Sequence, residues 1–181
     1  MSMVQLKVIG CGDAFGSGGR LNTCFYVKSA TSRFLIDCGA SSLPGLKHHG
    51  IKTDDFEAIV ISHFHGDHYG GVPFLLLDAA IHGRTKKLQI ISPPGAKQRI
   101  AALMDLLYPG TPVLEKLDVD FLEYTADKML IAENFSVRAF EVIHSPQALP
   151  HGVRIEISDK VIAYSGDTSW TDVLLPLSDG A

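Results

Sequence analysis

The sequence of 181 residues predicts an α/β domain in which strands and helices pack as layers. Short runs rich in β-branched and aromatic residues, bounded by Gly, Ser, Asn or Asp, recur along the chain. Between them, Ile100, Leu103, Met104 and Leu107 recur with the spacing of one helical face. The hairpin-like spacing of the first three runs argues against a purely parallel, doubly wound sheet.

The elements are predicted in order from these patterns and from their boundary residues. Strands are expected at residues 4–9, 23–28, 33–37, 58–61, 119–124, 135–142, 153–157 and 161–164. Helices are expected at residues 73–81, between Pro93-Pro94 and Tyr108-Pro109-Gly110, and from about Thr171 onward.

Composition and charge restrict the kind of partner. Hydrophobic residues make up 46% of the chain and charged residues 20%, which is typical of a globular protein. The formal charge of −4 does not favour a nucleic-acid binder, which needs clustered cations. The longest apolar run, from Val72 to Leu77, is too short to cross a membrane, and no secretory signal follows Met1. We therefore expect a cytoplasmic protein with no membrane partner, whose three cysteines are reduced, buried thiols.

A glycine-rich segment, from Gly10 to Gly19, could be mistaken for a dinucleotide-binding loop. Its spacing does not match G-x-G-x-x-G, and the next element is predicted to be a strand. A pyrophosphate would then have no helix N-terminus to bind. We expect instead a flexible loop at the edge of the active site, whose backbone N–H groups could contact an anionic substrate.

The clearest candidate site is the run His63-Phe64-His65-Gly66-Asp67-His68, which follows an apolar strand. Side chains two residues apart in an extended segment point the same way, so His63 and His65 can reach one point in space. Gly66 is expected to allow a sharp turn, after which Asp67 and His68 present two more ligands. Zinc binds both imidazole nitrogen and carboxylate oxygen. Two adjacent ligand clusters predict two metal ions.

H-x-H-x-D-H is the signature of the metallo-β-lactamase superfamily, which this chain resembles over most of its length. The run Leu35-Ile36-Asp37-Cys38-Gly39 resembles the first family motif, and His144 lies where the family places its next histidine ligand. Ala163-Tyr164-Ser165-Gly166-Asp167-Thr168 resembles the strand end that carries the bridging Asp. The resemblance implies an αββα sandwich with the site at one edge of its two sheets.

The resemblance also implies a ligand set and a cofactor. The first metal would be held by His63, His65 and His144, and the second by Asp67 and His68, with Asp167 between the two. Two divalent ions are expected, with zinc favoured and manganese or iron as alternatives, and they would activate water for hydrolysis. Asp37 is expected to support the ligands from behind.

Two residues are predicted to act in catalysis. One is Asp67, which is also a predicted metal ligand. The other is His151, which opens the strand after His144 and could hold the substrate or shuttle a proton. An ordinary loop histidine is the alternative for His151. His48, His49 and His82 are expected to face solvent.

Within the superfamily the chain is most similar to the ribonuclease Z and phosphodiesterase branch. The similarity lies in Gly10-Cys11-Gly12-Asp13, Asn22-Thr23-Cys24 and residues 61–73, and in an Asp rather than a Cys at position 167. Three departures make transfer RNA a doubtful substrate: no long glycine- and proline-containing arm, a short stretch from His144 to Asp167, and the acidic charge. A small-molecule or short nucleotide phosphodiester is favoured.

Other functions stay open at this stage. A thioesterase resembling glyoxalase II, or a lactonase, would use the same metals on a carbonyl carbon. A diiron oxidoreductase or a metal-binding module without turnover belongs to a different class. A homodimer is one possible assembly.

The resemblance implies one more histidine ligand after Asp167, but no histidine follows His151. The apolar segment from Thr171 also starts only shortly before Ala181. We therefore expect residues 1–181 to form a single metallo-β-lactamase-like domain that is incomplete at its C-terminal side.

Overall fold

Ten strands form two β-sheets in the part of the chain that this computed structural model describes, residues 3–125 and 128–181. The larger sheet has the order β1-β2-β3-β4-β5-β6, and the smaller has the order β10-β9-β8-β7. The strands are β1 (Gln5–Gly10), β2 (Cys24–Lys28), β3 (Arg33–Ile36), β4 (Ala58–Val60), β5 (Leu88–Ser92), β6 (Val119–Glu123), β7 (Met129–Ile131), β8 (Phe135–Glu141), β9 (His151–Ile157) and β10 (Lys160–Tyr164).

The helices cover the outer faces of the sheets. They are α1 (Ser42–His48), α2 (Gly66–Tyr69), α3 (Val72–Ile81), α4 (Ala96–Leu107) and α5 (Leu174–Ser178). Buried residues of α1, α3 and α4 share one apolar cluster with the larger sheet, while α5 packs against β9 and β10 of the smaller one. The layers therefore follow the predicted αββα order. None of the described helices is long and apolar enough to span a bilayer.

Strand β4 shows how alternation builds both cores. Ala58 and Val60 lie in the cluster between the two sheets, whereas Ile59 and Ile61 lie in the cluster beneath the helices. Successive side chains of a strand point to opposite faces, so a strand buried on both faces is apolar throughout. The polar run that begins at Ser62 therefore starts where β4 leaves these two cores.

Mixed strand directions place the loops that carry the predicted motifs at one edge of the larger sheet. Strands β1 to β3 pair antiparallel, as the hairpin spacing predicted, whereas β3 to β6 pair parallel. The carboxyl ends of β3 and β4 consequently lie side by side, because they are parallel neighbours. Asp37 follows β3 and Ser62 lies just beyond β4, so the sheet brings their segments together.

The predicted strands and longer helices are confirmed to within a few residues, but four elements were missed. These are β5, β7, α1 and α2. The α1 segment contains Pro44 and Gly45, which have poor helix propensity, so only tertiary packing makes it helical. The expectation that all three thiols are buried is wrong for Cys11, which is exposed.

Candidate metal centre

The first part of the centre lies on the segment that follows β4. His63 is fully buried and His65 partly so, and His63 Nε2 lies 3.1 Å from His65 Nδ1. The two imidazoles therefore converge, as the two-residue spacing predicted. Helix α2 then carries Asp67 and His68, whose ring is 2% exposed. This edge of the larger sheet supplies four of the predicted ligands.

The smaller sheet supplies the other two predicted ligands, because two of its loops are tied together. The Ser169 N–H donates to Ile143 O at 2.8 Å, and the Ile143 N–H donates to Thr168 Oγ1 at 3.1 Å. These bonds bring His144 and Asp167 side by side, with His144 Nε2 3.8 Å from Asp167 Oδ2. His144 and Asp167 are thus neighbours in space although they are 23 positions apart in the chain.

The six predicted ligands meet between the two sheet edges. His144 Nε2 lies 3.1 Å from His65 Nδ1, and His68 Nε2 lies 3.4 Å from Asp167 Oδ1. Within residues 3–125 and 128–181, two groups of side chains can each bring one ligand atom per residue to within 4.8 Å of the others. They are His63, His65 and His144, and His63, His68 and Asp167. The first group is the predicted first ligand set.

The second group differs in detail from the predicted one. It contains His63, while Asp67 lies beside it with Oδ2 3.5 Å from His68 Nε2. Asp67 and Asp167 therefore both lie close to His68, although Asp67 is outside the compact group. His63 is central to both groups, which the sequence did not indicate.

Asp37 supports this centre from behind, as expected. Its side chain is fully buried, and its backbone has a φ of 56°, which is unusual for a residue other than glycine. Asp37 Oδ2 lies 2.7 Å from His68 Nδ1 and 3.0 Å from the Tyr164 hydroxyl. His68 therefore has one nitrogen turned to a carboxylate and the other turned to the ligand cluster.

Burial and neighbouring charges shift the pKa of three groups in opposite directions. Burial, followed by the repulsion of His68, lowers the pKa of His63 to about 4. Burial opposes protonation of His68, but hydrogen bonds to Asp167 and Asp37 outweigh it and raise the pKa of His68 to about 10. The hydrogen bond from His68 in turn lowers the pKa of Asp167 to about 2. The charge states of these two histidines and one acid therefore depend on one another.

His151 is not a solvent-facing loop residue. It begins β9, is 8% exposed and packs its ring 5.2 Å from that of Tyr124. Its Nδ1 donates to Leu149 O at 2.8 Å. His151 and His144 both line a cavity of about 350 Å³. The structure therefore places His151 in the wall of the same cavity as the predicted ligand His144.

Three expectations concern the remaining histidines and the glycine-rich loop. His48, His49 and His82 are exposed, as predicted. The glycine-rich loop is followed by strand β2, which agrees with the rejection of a dinucleotide site. Its backbone is less available than expected, because the Asp13 carboxylate accepts hydrogen bonds from the N–H groups of Phe15 and Ser17.

A second cavity, of about 540 Å³, lies beside α1 and α3 and contains none of the predicted ligands. Three of its charged groups are already paired: Lys47 Nζ lies 2.5 Å from Asp78 Oδ1, and the Arg84 guanidinium donates to the carbonyls of Phe56 and Lys87. Its size alone therefore does not make it a site.

Two residues of the centre were missed by the sequence analysis. Tyr164 was quoted only as part of a motif, yet its hydroxyl reaches Asp37. The Ser62 hydroxyl lies 2.8 Å from Asp37 Oδ2 and 3.0 Å from His63 Nδ1. The only available signal for Ser62 was its place directly before the first histidine.

Comparison with curated proteins finds relatives called ribonuclease Z. The protein from Clostridium acetobutylicum is 29% identical over 155 residues, which is 84% of this chain and 50% of that protein. The protein from Mycolicibacterium paratuberculosis is 27% identical over 177 residues, covering 92% of this chain and 63% of that one. The chain spans about half the length of the first of these relatives.

Solved structures show the same fold. The metallo-beta-lactamase fold protein YhfI from Bacillus subtilis superimposes with a TM-score of 0.79 at 20% identity, over 97% of this chain and 66% of that one. The short form of human tRNase Z gives a TM-score of 0.74 at 25% identity, over 92% of this chain and 70% of that one. The predicted resemblance to this superfamily, near ribonuclease Z, is confirmed.

The family described as "Anti-Pycsar protein Apyc1" has a model that matches residues 4–179. This match includes every predicted ligand and both sheets. The chain therefore belongs to the Anti-Pycsar protein Apyc1 family and has the metallo-β-lactamase fold.

Proposed function

We propose that this chain carries a metal-dependent phosphodiesterase with two divalent ions, zinc being the favoured metal. The observation that carries the proposal is the meeting of six imidazole and carboxylate side chains from two sheets. The names of the relatives, ribonuclease Z and tRNase Z, support a phosphodiester as the bond that is cleaved.

The donor set fits zinc, which binds imidazole nitrogen and carboxylate oxygen and leaves a position open in catalytic sites. His63, His65 and His144 would hold one ion, and His68, Asp67 and Asp167 the other, with Asp167 and His63 close to both. When bound, such a pair of ions supplies Lewis acidity and an activated water. Asp37 keeps His68 oriented for this task through its Nδ1.

The most exposed ligands of the centre belong to the smaller sheet. His63 and His68 are buried, whereas the side chains of His144 and Asp167 are 32% and 45% exposed. A substrate therefore approaches from the side of the smaller sheet. His151 lines the cavity next to His144, so we assign it to binding the substrate or transferring a proton. Asp67 would act through the metal ion that it holds.

For the substrate we propose a small-molecule or short nucleotide phosphodiester. The acidic formal charge of −4 supports a small substrate over a long polyanion. Transfer RNA stays open as an alternative because one structural neighbour is called tRNase Z. A thioester, as in enzymes resembling glyoxalase II, and a lactone are the alternatives that differ in the bond cleaved.

The proposal is tested by metal analysis of the purified chain and by hydrolysis of bis-aryl phosphate, short oligonucleotides, precursor transfer RNA, a glutathione thioester, a lactone and a β-lactam under one set of conditions. We expect bound zinc and fastest turnover of a small phosphodiester. Faster turnover of the thioester would favour the rival carbonyl chemistry, and precursor transfer RNA as the best substrate would overturn the proposed substrate class.

Variants locate the activity in the centre. His65→Ala and Asp67→Ala should lower the metal content and abolish hydrolysis. His82→Ala, at an exposed histidine outside both ligand groups, is the matched control and should keep both. Retained metal and activity in the two ligand variants would refute the assignment.

A further inference from the structure

One buried carboxylate faces four hydrogen-bond donors. Asp37 Oδ1 accepts from the Ser62 N–H at 2.7 Å. Asp37 Oδ2 lies 2.7 Å from His68 Nδ1, 2.8 Å from Ser62 Oγ and 3.0 Å from the Tyr164 hydroxyl. Because the Asp37 side chain is fully buried, these groups take the place of water around it.

The Ser62 hydroxyl has a second neighbour, since its oxygen also lies 3.0 Å from His63 Nδ1. A hydroxyl has one hydrogen and two lone pairs. When that hydrogen points to the Asp37 carboxylate, Ser62 Oγ can only accept from His63. His63 must then carry its proton on Nδ1, and its Nε2 has a free lone pair.

That lone pair faces the ligand cluster, because His63 Nε2 is the nitrogen that approaches His65 Nδ1 at 3.1 Å. His68 is held in the same way by direct contact of its Nδ1 with Asp37. The two fully or almost fully buried histidines of the centre therefore depend on one carboxylate, one directly and the other through a serine.

We propose that Ser62 is a positioning residue, which relays the Asp37 carboxylate to His63 and so presets His63 Nε2 as a metal ligand. This rests on the proposed function for its consequence, metal binding, but its structural content is the tautomer of one imidazole. A hydrogen bond that fixes the protonated nitrogen of a histidine also fixes its ring orientation and raises its quality as a ligand.

The tautomer is measured first, in metal-free protein with ¹⁵N-labelled histidine, by long-range ¹H–¹⁵N spectra that distinguish a protonated from an unprotonated ring nitrogen. The His63 signals are identified by their loss in a His63→Gln variant. We expect the Nδ1–H tautomer in the unmutated protein. The Nε2–H tautomer there would overturn the proposal, whatever the enzyme's activity.

Three variants separate relay from packing. Ser62→Ala removes the relay and should change the His63 tautomer and weaken zinc binding by about 10- to 100-fold. Ser92→Ala is the matched control, because Ser92 is also buried but its hydroxyl donates to Pro93 O. It should leave both readouts unchanged. Ser62→Thr keeps a hydroxyl and should restore the tautomer.

These experiments distinguish a failure of the Ser62 relay from a failure of the proposed function. An unaltered His63 tautomer in Ser62→Ala, or equal zinc affinity in Ser62→Ala and Ser92→Ala, contradicts the relay. If the unmutated protein bound no zinc, the proposed function would fail, and the tautomer spectra alone would decide the role of Ser62. Circular dichroism of each variant verifies that it is folded.

Discussion

Tyr164 and Asp37 illustrate how a residue far from the ligands in sequence takes part in the centre. The Tyr164 hydroxyl lies 3.0 Å from Asp37 Oδ2 across 127 positions of the chain. Burial, followed by the charge of Asp37, raises the pKa of Tyr164, so the phenol keeps its proton and acts as a donor. It joins the last strand of the smaller sheet to the edge of the larger one.

Replacing Tyr164 by Phe removes this donor and keeps the ring. We expect the free energy of unfolding to fall by about 1–3 kcal/mol, because a hydrogen bond to a charged group is lost in a buried place. Denaturation of the metal-free protein measures it. Tyr108→Phe is the control, since no hydrogen bond of the Tyr108 hydroxyl is found among the described residues. Equal effects of the two changes would contradict the assigned contact.

His68 gives a prediction for the dependence of stability on pH. Its pKa in the folded, metal-free protein is raised to about 10 from 6.5. Its stabilising contribution is therefore complete below pH 6.5 and is lost as the pH rises through 10. Zinc needs the deprotonated ring, so zinc binding competes with the proton and strengthens over the same interval.

The difference in Tm between zinc-loaded and chelator-treated protein should therefore increase from pH 6.5 to 9. Thermal unfolding at several pH values measures this difference. His68→Gln should flatten the dependence, whereas His82→Gln, which changes an exposed histidine, should not. A difference in Tm that stays constant with pH in the unmutated protein would rule out a titrating His68.

At the scale of elements, helix α2 is held against the segment that follows β3. The Cys38 N–H donates to His68 O at 2.6 Å, and the Gly71 N–H donates to Cys38 O at 2.8 Å. The backbones of these two segments approach so closely that a Cβ on Gly39 would lie 2.1 Å from Asp67 O. The position of Asp67 and His68 therefore depends on a glycine outside the histidine motif.

Gly39→Ala should displace α2, because backbone atoms cannot move aside as a flexible side chain can. We expect a lower Tm and a reduced zinc content, measured by thermal unfolding and metal analysis. Gly66→Ala is the matched control, since a Cβ at Gly66 meets no atom within 4 Å. Gly66 was expected to allow a sharp turn, but it begins α2 and a Cβ there would have open space, so this geometry does not require a glycine. Zinc content unaffected by Gly39→Ala would disprove the dependence on close packing.

At the scale of the whole molecule, the centre joins the two sheets. His63, His65, Asp67 and His68 follow the larger sheet, and His144 and Asp167 belong to loops of the smaller one. An ion that binds both sets stabilises the folded state by mass action, because the unfolded chain does not assemble the site.

Removing the metal with a chelator should therefore lower the Tm, and adding zinc back should restore it. His144→Ala should reduce this shift, because it removes the smaller sheet's contribution to the first ligand group. Differential scanning calorimetry measures both. If chelation left the Tm unchanged while metal analysis showed that zinc had been removed, the ion would not connect the sheets.

The family resemblance also implies one more histidine ligand after Asp167, and this concerns the molecule as a whole. Of the six predicted ligands, His68 is the one imidazole assigned to the second ion, although His63 also lies within 4.8 Å of His68 and Asp167. That residues 1–181 are a single domain lacking a C-terminal part stays a prediction.

Local spacing was sufficient to predict much of the protein. The alternation of β4, the two-residue step from His63 to His65 and the neighbouring Asp67 and His68 identified a metal-binding loop at a strand end. Such features depend on contacts within a few residues, which the period of a strand or helix determines directly. The family resemblance added His144 and Asp167, which spacing alone would not have selected.

Only the tertiary structure decided how these residues act together. The place of His63 in both ligand groups and the contact of Tyr164 with Asp37 depend on how the edges of two sheets meet. The contact of Ser62 with Asp37 depends on the parallel pairing of β3 with β4. Strand periodicity determines which face a side chain occupies, but the pairing of distant loops is set by the packing of the two sheets around a common core. The short helix α1 was missed for the same reason, because it packs on β1, which is far away in the sequence.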